Sequence, residues 1–519
     1  IAGGIGGLDV REGTLAGAPA RIAQDSWNFH LLKPADERGR VVARWFSAEG
    51  KPLPYPAMVK TPNAVWMGHV LLDGSRAESG RLLLAMIGEG TPAAWRTAAQ
   101  NAIQHTGADL PFSSFGTLTQ ALAQRAGSDR FASAAVKQAV TSREAALTAF
   151  KRQQWRKAFD AAQRAGARAR EAYFRTQPTV PGEFRAVWCH RGYGIKGWDW
   201  ERSVRHLSNT GFSVLLPNMA NASTAWYPSD VLARHPENPG GKDHLAACLQ
   251  ATRRHGVGCH VWIVCLRLDR RTPRTLVDKL ADAGRLQLRV DGSFNRDWLS
   301  PAHPANRRQV LKVVKELAET YRVDGIHLDY IRFAGADSGF GTAARQQFEE
   351  ALGRQIEPWP QALRKSPELQ HRWRAFRRHL VTTLVRDVQR VIERSGRDIA
   401  LSAAVFAEPR VARNNVAQDW PEWGRRGIVD FLCPMSYTDD PLQFQRVVRA
   451  GAKAAAGSRA PVYPGIGVTS ENLTAIQTVQ QVAGTRRERT GGFVLFEYNK
   501  HAALEILPNL AKGATRPQR

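Results

Sequence analysis

Several acidic residues of this sequence follow short apolar runs. Among them, Asp329 is the strongest candidate for a chemical role. Gly325–Tyr330 alternates apolar residues with His327 and Asp329, as in a buried strand whose side chains two apart share one face. A carboxylate at the end of such a strand is costly unless a site uses it. We therefore take Asp329 as the first catalytic candidate. Its alternative role is an ion pair with Arg332 that holds a loop.

Acid–base catalysis often uses two carboxyl groups, one as the acid and one as the base. Asp329 therefore needs a second carboxyl group as its partner. Glu497 ends the last apolar run of the chain and is the preferred one. Asp439 follows the run Phe431–Met435 and ranks second, because paired acids after Tyr-Thr are also common at a helix N-terminus. Glu408 ranks third.

Aromatic and histidine side chains near the same run ends could bind a substrate. Flat rings stack on ligands but also fill protein cores, and we expect about half of them to be core residues. Histidines can donate hydrogen bonds or shift the pKa of a carboxylate. The candidate binding residues are Trp188, His190, Trp262, Trp298, His303, His327, Arg332, Trp420 and Tyr437. His190, His327 and Asp329 are also metal-ligand types, but no HExxH-like motif accompanies them, so we predict neither a metal nor another cofactor.

Eight short apolar runs after residue 183 must position these side chains. Amphipathic stretches lie between most of the runs, and this alternation predicts an α/β fold, a (β/α)8 TIM barrel with its site at the C-terminal strand ends. A doubly wound sheet is the rival, but the turn over 191–197 lacks its glycine fingerprint. The predicted strands are Phe184–His190, Ser213–Asn218, Gly258–Cys265, Gly325–Tyr330, Ala400–Phe406, Phe431–Met435, Val462–Gly467 and Phe493–Glu497.

The region before residue 180 has a different character. Val41–Phe46 and Asn63–Leu72 have strand-like composition and flank the turn-rich stretch Ser47–Tyr55, whereas Thr117–Ala172 has helical spacing. The polar and proline-rich stretch over 176–182 is the clearest boundary. We predict an N-terminal α/β fragment over 1–110, a helical connecting region over 111–180, the barrel over 181–510 and a flexible tail over 511–519.

Composition limits the functional classes. The chain has 519 residues and a formal net charge of +26, which attracts anionic polymers, but its basic residues are dispersed and no nucleic-acid-binding motif accompanies them. No apolar stretch of about 18 residues is present, so we predict no membrane span. Five cysteines without CxxC spacing indicate neither a zinc site nor a disulfide framework. The oligomeric state is left open.

Residues 183–505 resemble the family-10-like glycosyl hydrolases of bacteria, a group of (β/α)8 proteins. The matching segments are Phe184–Trp188, Trp298–Arg307, Val323–Phe333, Gln418–Trp420 and Cys433–Asp440. The resemblance implies a glycoside hydrolase that acts on a bacterial cell-wall or exopolysaccharide glycan through two carboxyl groups. It also implies a cell-envelope or secreted protein. The sequence starts at Ile1 rather than Met, so the absence of a visible signal peptide proves nothing.

Residues 40–105 resemble the closing part of a glutamine-amidotransferase-like domain, to which we assign no activity. Two other functions stay open: a non-catalytic glycan-binding barrel that lacks one carboxylate, and a nucleic-acid-associated protein, which the charge alone suggests. A second acid opposite Asp329 would indicate a hydrolase and not a non-catalytic glycan-binding barrel. DNA binding that falls steeply as salt rises would identify a nucleic-acid-associated protein.

Overall fold

The chain forms two compact units, Ile1–Thr176 and Gln177–Arg519. The residues described by the computed structural model are 4–11, 14–26, 28–72 and 76–517.

Among its described residues, the first unit contains an antiparallel sheet and five helices. Its strands are β1 Ile5–Val10, β2 Arg21–Ser26, β3 Arg40–Ser47, β4 Pro52–Lys60 and β5 Val65–Met67. Its helices are α1 Arg76–Gly90, α2 Ala93–Gln104, α3 Phe115–Ala126, α4 Arg130–Lys151 and α5 Trp155–Arg175. The sheet order is β2-β1-β3-β4-β5, and Ile5, Leu8 and Trp45 are buried in the core of the unit. The resemblance of residues 40–105 to an amidotransferase-like domain stays a prediction.

The second unit contains twelve strands among its described residues. They are β6 Phe184–Cys189, β7 Val214–Ala220, β8 Thr224–Ala225, β9 Ala233–Arg234, β10 Gly258–Val264, β11 Leu286–Leu288, β12 Phe294–Leu299, β13 Gly325–Asp329, β14 Ala400–Phe406, β15 Phe431–Met435, β16 Gly465–Ile466 and β17 Gly492–Phe496.

Eight of these strands close into a parallel barrel. Their order is β10-β13-β14-β15-β16-β17-β6-β7, and β7 pairs with β10 to complete the ring. The strands are apolar because one face of each lies in the barrel interior and the other under the outer helices, and β7 is buried along its whole length. The predicted TIM barrel is confirmed, and each of the eight predicted strands overlaps a barrel strand.

Helices surround the barrel and connect its strands. They are α6 Trp200–Asn209, α7 His244–Arg254, α8 Arg274–Asp282, α9 Pro304–Thr320, α10 Thr342–Leu352, α11 Gln361–Lys365, α12 Pro367–Arg394, α13 Pro409–Asn415, α14 Trp420–Arg425, α15 Pro441–Ala454, α16 Ala475–Arg487, a π-helix Ala502–Ile506, and α17 Leu507–Leu510. Asp199, Asp243 and Asp440 begin three of them by accepting backbone N–H groups of the first turn. Among the described helices, none has the length and apolar character needed to cross a bilayer.

Long connections leave the C-terminal ends of β10 and β13, where a barrel builds its site. The connection after β10 contains α8 and the β11–β12 hairpin, and that after β13 contains α10, α11 and α12. At the chain end, the sequence predicts a flexible tail over 511–519. Ala514 and Thr515 are buried, and Thr515 Oγ1 donates to the Thr210 carbonyl at 2.7 Å. Residues 518–519 lie outside the described residues.

Candidate active site

Four predicted residues follow or end strands at one rim of the barrel. Asp329 ends β13, His190 directly follows β6, Tyr437 lies two residues after β15, and Glu497 directly follows β17. All eight barrel strands are parallel, so these C-terminal ends form a common mouth. The barrel thus places Asp329 and Tyr437 at the same rim, as the sequence predicts.

The carboxyl group of Asp329 is buried. The residue is 5% exposed, and Oδ1 accepts the N–H of Tyr330 at 2.6 Å. Burial raises its pKa to about 6, although the guanidinium groups of Arg332 and Arg267 act in the opposite direction. The indole N–H of Trp262 also lies close enough to lower this pKa, without forming a hydrogen bond of standard geometry.

Arg332 is held beside Asp329 by aromatic rings. Its guanidinium carbon lies 4.4 Å from the ring centroid of Tyr330, 5.0 Å from that of Trp298 and 4.9 Å from that of Phe406. Burial lowers the pKa of Arg332, and Asp329 raises it. Among the described residues, no ion pair within 4.0 Å joins the two side chains. Asp329 therefore lacks the direct ion pair with Arg332 that the alternative role, holding a loop, would require.

Glu497 is half-buried on the opposite side of the mouth. Its Oε2 accepts the backbone N–H of His190 at 3.2 Å. Burial raises its pKa, while this hydrogen bond and Arg191 lower it. Tyr437 lies near both acids: burial raises the pKa of its hydroxyl, and the carboxylates of Asp329 and Glu497 raise it further. The Tyr437 hydroxyl is thus neutral at neutral pH and feels the charge of both carboxylates.

A cavity of about 560 Å³ opens beside Asp329. Tyr330, the residue after Asp329, lines it together with His190. Glu497 lines a second cavity of about 270 Å³, and Arg191 lines both. The sequence did not single out the remaining polar lining of the larger cavity, which includes Asn218, Asn221, His235, Arg267, Asp269 and Arg271. Asn218 lies near the end of β7, and the others lie on the connections that follow β7 and β10. This position was the available signal, because strand ends and such loops form the mouth of a barrel.

Other predicted binding residues lie below the surface of the mouth. His327 is fully buried, and its Nε2 accepts the Trp188 indole N–H at 3.0 Å. Because Nε2 accepts, Nδ1 carries the proton and donates to Ser402 Oγ at 2.9 Å. Burial lowers the pKa of His327 to about 3. Trp188 and His327 thus support the strand ends from within the barrel.

The structure assigns local packing roles to three further candidates. Trp420 is fully buried and donates to the Phe406 carbonyl at 3.1 Å. His303 begins α9 by accepting the N–H of Ala305 at 3.2 Å. Asp439 is exposed beside the cap of α15, and no hydrogen bond or ion pair joins it to any described residue. Of the predicted acids, Asp329 and Glu497 are the two that share Tyr437 as a neighbour.

Comparisons with known proteins give a remote sequence relative and similar folds. An S-layer-related protein of Niallia circulans is 24% identical over 256 residues, which is 42% of this chain and 16% of that protein. The PgaB (BpsB) glycoside hydrolase domain from Bordetella bronchiseptica is 15% identical with a TM-score of 0.49, over 60% of this chain and 94% of that domain. The catalytic domain of β-amylase from Paenibacillus polymyxa is 10% identical with a TM-score of 0.47, over 64% of this chain and 95% of that domain.

A family model matches far more of the sequence. The model of glycosyl hydrolase-like 10 matches residues 183–476, which is more than half of the chain and most of the barrel. The resemblance stated from the strand motifs is therefore confirmed. This chain belongs to the glycosyl hydrolase-like 10 family.

Proposed function

We propose that this protein is a glycoside hydrolase and that Asp329 is its general acid. The observation that carries the proposal is the Asp329 carboxyl itself, buried at the end of β13 beside a cavity, with a pKa raised to about 6. A carboxyl with this pKa keeps a proton in mildly acidic solution and can still release it during reaction. Family membership supports the same chemistry, since most glycoside hydrolases use a carboxylic acid beside the scissile bond.

Glu497 is the second carboxyl group of the proposal. In the reaction, the Asp329 proton passes to the glycosidic oxygen as the bond from that oxygen to the anomeric carbon breaks. The Glu497 carboxylate either bonds to the anomeric carbon or takes a proton from the attacking water. Its half-burial and its position across the mouth support this role, and the Tyr437 hydroxyl can orient either carboxylate.

The substrate in this proposal is a bacterial cell-wall or exopolysaccharide glycan, and the protein acts in the cell envelope or outside the cell. The relative from Niallia circulans is named as S-layer-related, which supports an envelope location. The aligned part covers 16% of that relative, so the comparison concerns one region of a much longer protein.

Three matched substitutions test the assignment. Asp329→Asn and Glu497→Gln each keep the shape of the side chain but remove its acid–base function, so each lowers turnover by about 10²–10⁴. Asp439→Asn removes an exposed acid of the same rim and leaves turnover near that of the parent. The assay measures release of reducing ends from acetylated and de-acetylated amino-sugar polymers and from peptide-free wall glycan.

Thermal unfolding of each variant controls for loss of the fold. Parental turnover by Asp329→Asn would refute the proposed general acid. Loss of turnover in Asp439→Asn with retention in Glu497→Gln would transfer the second role to Asp439. A parent protein that binds these glycans but releases no reducing ends would be the non-catalytic glycan-binding barrel.

A further inference from the structure

The cavity beside Asp329 contains an unusual concentration of guanidinium groups. Arg191, Arg267, Arg270 and Arg271 all line it, and Asp269 also contributes a carboxylate. Arg191 follows β6, while the other three lie on the connection after β10. The positive charge therefore comes from the loops after β6 and β10, on either side of β7, which converge on one opening.

Two ion pairs and one hydrogen bond hold three of these arginines. The Glu237 carboxylate lies 2.6 Å from Arg271 Nη2 and 3.4 Å from Arg191 Nη1. Arg267 Nη1 donates to the Tyr330 hydroxyl at 2.8 Å, and its guanidinium carbon lies 5.1 Å from the centroid of the same ring. Three of the four guanidinium groups thus have protein partners before any ligand arrives, which reduces the entropic cost of binding.

The cationic groups of the cavity exceed its anionic groups. Four guanidinium groups face the two carboxylates of Asp269 and Glu237, which leaves two positive charges without a counter-charge. Arg270 forms no ion pair or hydrogen bond with any described residue. Crowded like charges repel one another, and a bound anion would relieve that repulsion.

Two histidines add neutral donors to the same cavity. Burial lowers the pKa of His190 and of His235, and Arg191 lowers both further, although Asp269 acts in the opposite direction. Both rings are therefore mainly neutral near neutral pH, where each can donate one hydrogen bond. Such neutral donors suit the hydroxyl or amide groups that surround an anionic substituent on a sugar.

We infer that this cavity is a subsite for an anionic substituent of the glycan, a carboxylate or a phosphate. Guanidinium groups bind both oxyanions through paired hydrogen bonds. Its volume of about 560 Å³ lies within the range of about 300–1,000 Å³ that is usual for small-ligand sites. Tyr330 links the subsite to the neighbouring Asp329, so the charged sugar lies next to the scissile bond. The inference rests on the proposed function, because the anion belongs to the glycan bound at Asp329.

The test measures binding in the Asp329→Asn protein, so that hydrolysis does not consume the probe. Three forms of one peptide-free wall glycan serve as probes: the free carboxylates, their methyl amides, and the methyl amides phosphorylated on primary hydroxyls. We expect the carboxylate or the phosphate form to bind about tenfold more tightly than the uncharged amide form. The form that gains affinity identifies the source of the anion. Equal affinity for all three forms, or binding of none, would overturn the subsite.

A matched pair of double variants locates the effect. Arg270→Gln with Arg271→Gln removes one unpaired and one ion-paired arginine of the cavity. Arg253→Gln with Arg254→Gln is the control, because these neighbours in the last turn of α7 lie toward the opposite rim and Arg254 pairs with Glu201 at 3.0 Å. We expect the first pair of changes to weaken binding of the charged glycan about tenfold and to spare the amide form. Equal losses in both double variants would overturn the subsite.

The proposed function has a separate readout. If the parent protein releases no reducing ends from any glycan, the hydrolase proposal fails whatever the binding data show. If it hydrolyses charged and amidated glycan equally well, and the cavity variant does the same, only the subsite fails. Thermal unfolding of both double variants shows whether each retains the parental fold.

Discussion

The Asp329 carboxyl lies between two opposing electrostatic influences. Removal from water raises its pKa to about 6, and the nearby positive charges of Arg332 and Arg267 prevent a larger rise. A carboxyl in this balance can lose a proton in one step and recover it in the next, as an acid–base catalyst must. The same burial makes the ionised form of Asp329 costly for the fold.

This cost predicts that Asp329→Asn stabilises the protein at neutral pH. The folded-state pKa of about 6 lies above the ordinary value of 3.8, so the unfolded chain ionises more readily. The ionised, buried carboxyl therefore lowers the free energy of unfolding. This destabilisation reaches its full size above pH 6 and disappears as the pH falls below 3.8. We expect the amide variant to gain about 3 kcal/mol in free energy of unfolding at pH 7. Most of that gain should be absent at pH 4.

Denaturant unfolding of parent and variant at these two pH values checks the prediction. Glu422→Gln is a suitable control, because Glu422 is more exposed and pairs with Arg425 on the surface. It should change stability by less than about 1 kcal/mol at either pH. If Asp329→Asn were less stable than the parent at pH 7, the carboxylate would instead act as the structural partner of Arg332.

At the scale of single residues, the sequence predicts the positions of the candidate acids better than those of the candidate binding residues. Asp329 and Glu497 follow from strand-end position alone, because parallel strands bring their C-terminal ends to one mouth. His327 and Trp420 were predicted to bind substrate, yet both are fully buried. For His327, a period of two residues tells which face of β13 the side chain occupies, but not how deep it lies in the barrel. Trp420 begins α14, so no strand period applies to it.

At the scale of the elements, the barrel strands are predictable because burial on both faces makes them continuous apolar runs. The sheet of the first unit is harder to predict. Its strand β4 begins at Pro52 within a stretch that the sequence predicts as a turn. The pairing of β3 with β4 is irregular, with register shifts where Pro52 and Pro56 face β3. Such bulges accommodate residues that cannot donate a ladder hydrogen bond.

The four arginines that line the cavity beside Asp329 were not predicted from the sequence, for a different reason. Three of the four lie within residues 266–273 after β10, where charged residues show no helical or strand period. Their convergence on one cavity depends on tertiary structure, through the Arg267 bond to Tyr330 and the ion pairs of Arg191 and Arg271 with Glu237. Local pattern cannot reveal contacts between distant segments, so only the loop position after a barrel strand was available.

Close packing of strands inside the barrel gives a testable consequence at Gly325. A Cβ at this first residue of β13 would lie 2.1 Å from His260 Nδ1. His260 is buried on the neighbouring β10, so the ring has little room to move away. We expect Gly325→Ala to lower the free energy of unfolding by about 1–3 kcal/mol. Denaturant unfolding measures the change.

Gly258 provides a matched control, since it begins the adjacent strand β10. A Cβ there would meet Val214 Cγ2 at 3.6 Å, an ordinary van der Waals contact. Gly258→Ala should change stability by less than about 1 kcal/mol, because the lost chain entropy of glycine offsets any small strain. Equal effects of the two substitutions would show that His260 does not restrict the space at Gly325.

At the scale of the whole molecule, the net charge of +26 exceeds what the proposed site needs. The four cavity arginines account for a small part of the 73 basic residues, and many of the rest are exposed on helices. Such a surface attracts anionic polymers over long distances, whereas the cavity acts on a single substituent at close range. The two effects should differ in their response to salt.

We therefore predict that salt weakens attachment to anionic wall polymer much more than it slows hydrolysis of a short neutral oligosaccharide. Exposed charges are screened beyond a Debye length of about 8 Å at physiological ionic strength. Asp329, the proposed general acid, is buried, and salt screens a buried charge far less. Cosedimentation with purified wall material and reducing-end release, each followed across a salt series, measure the two quantities. A sucrose series of equal osmolality controls for effects of solute other than charge. Equal salt sensitivity of attachment and turnover would contradict this separation, because the charges that guide the protein to its polymer would then also govern the chemical step.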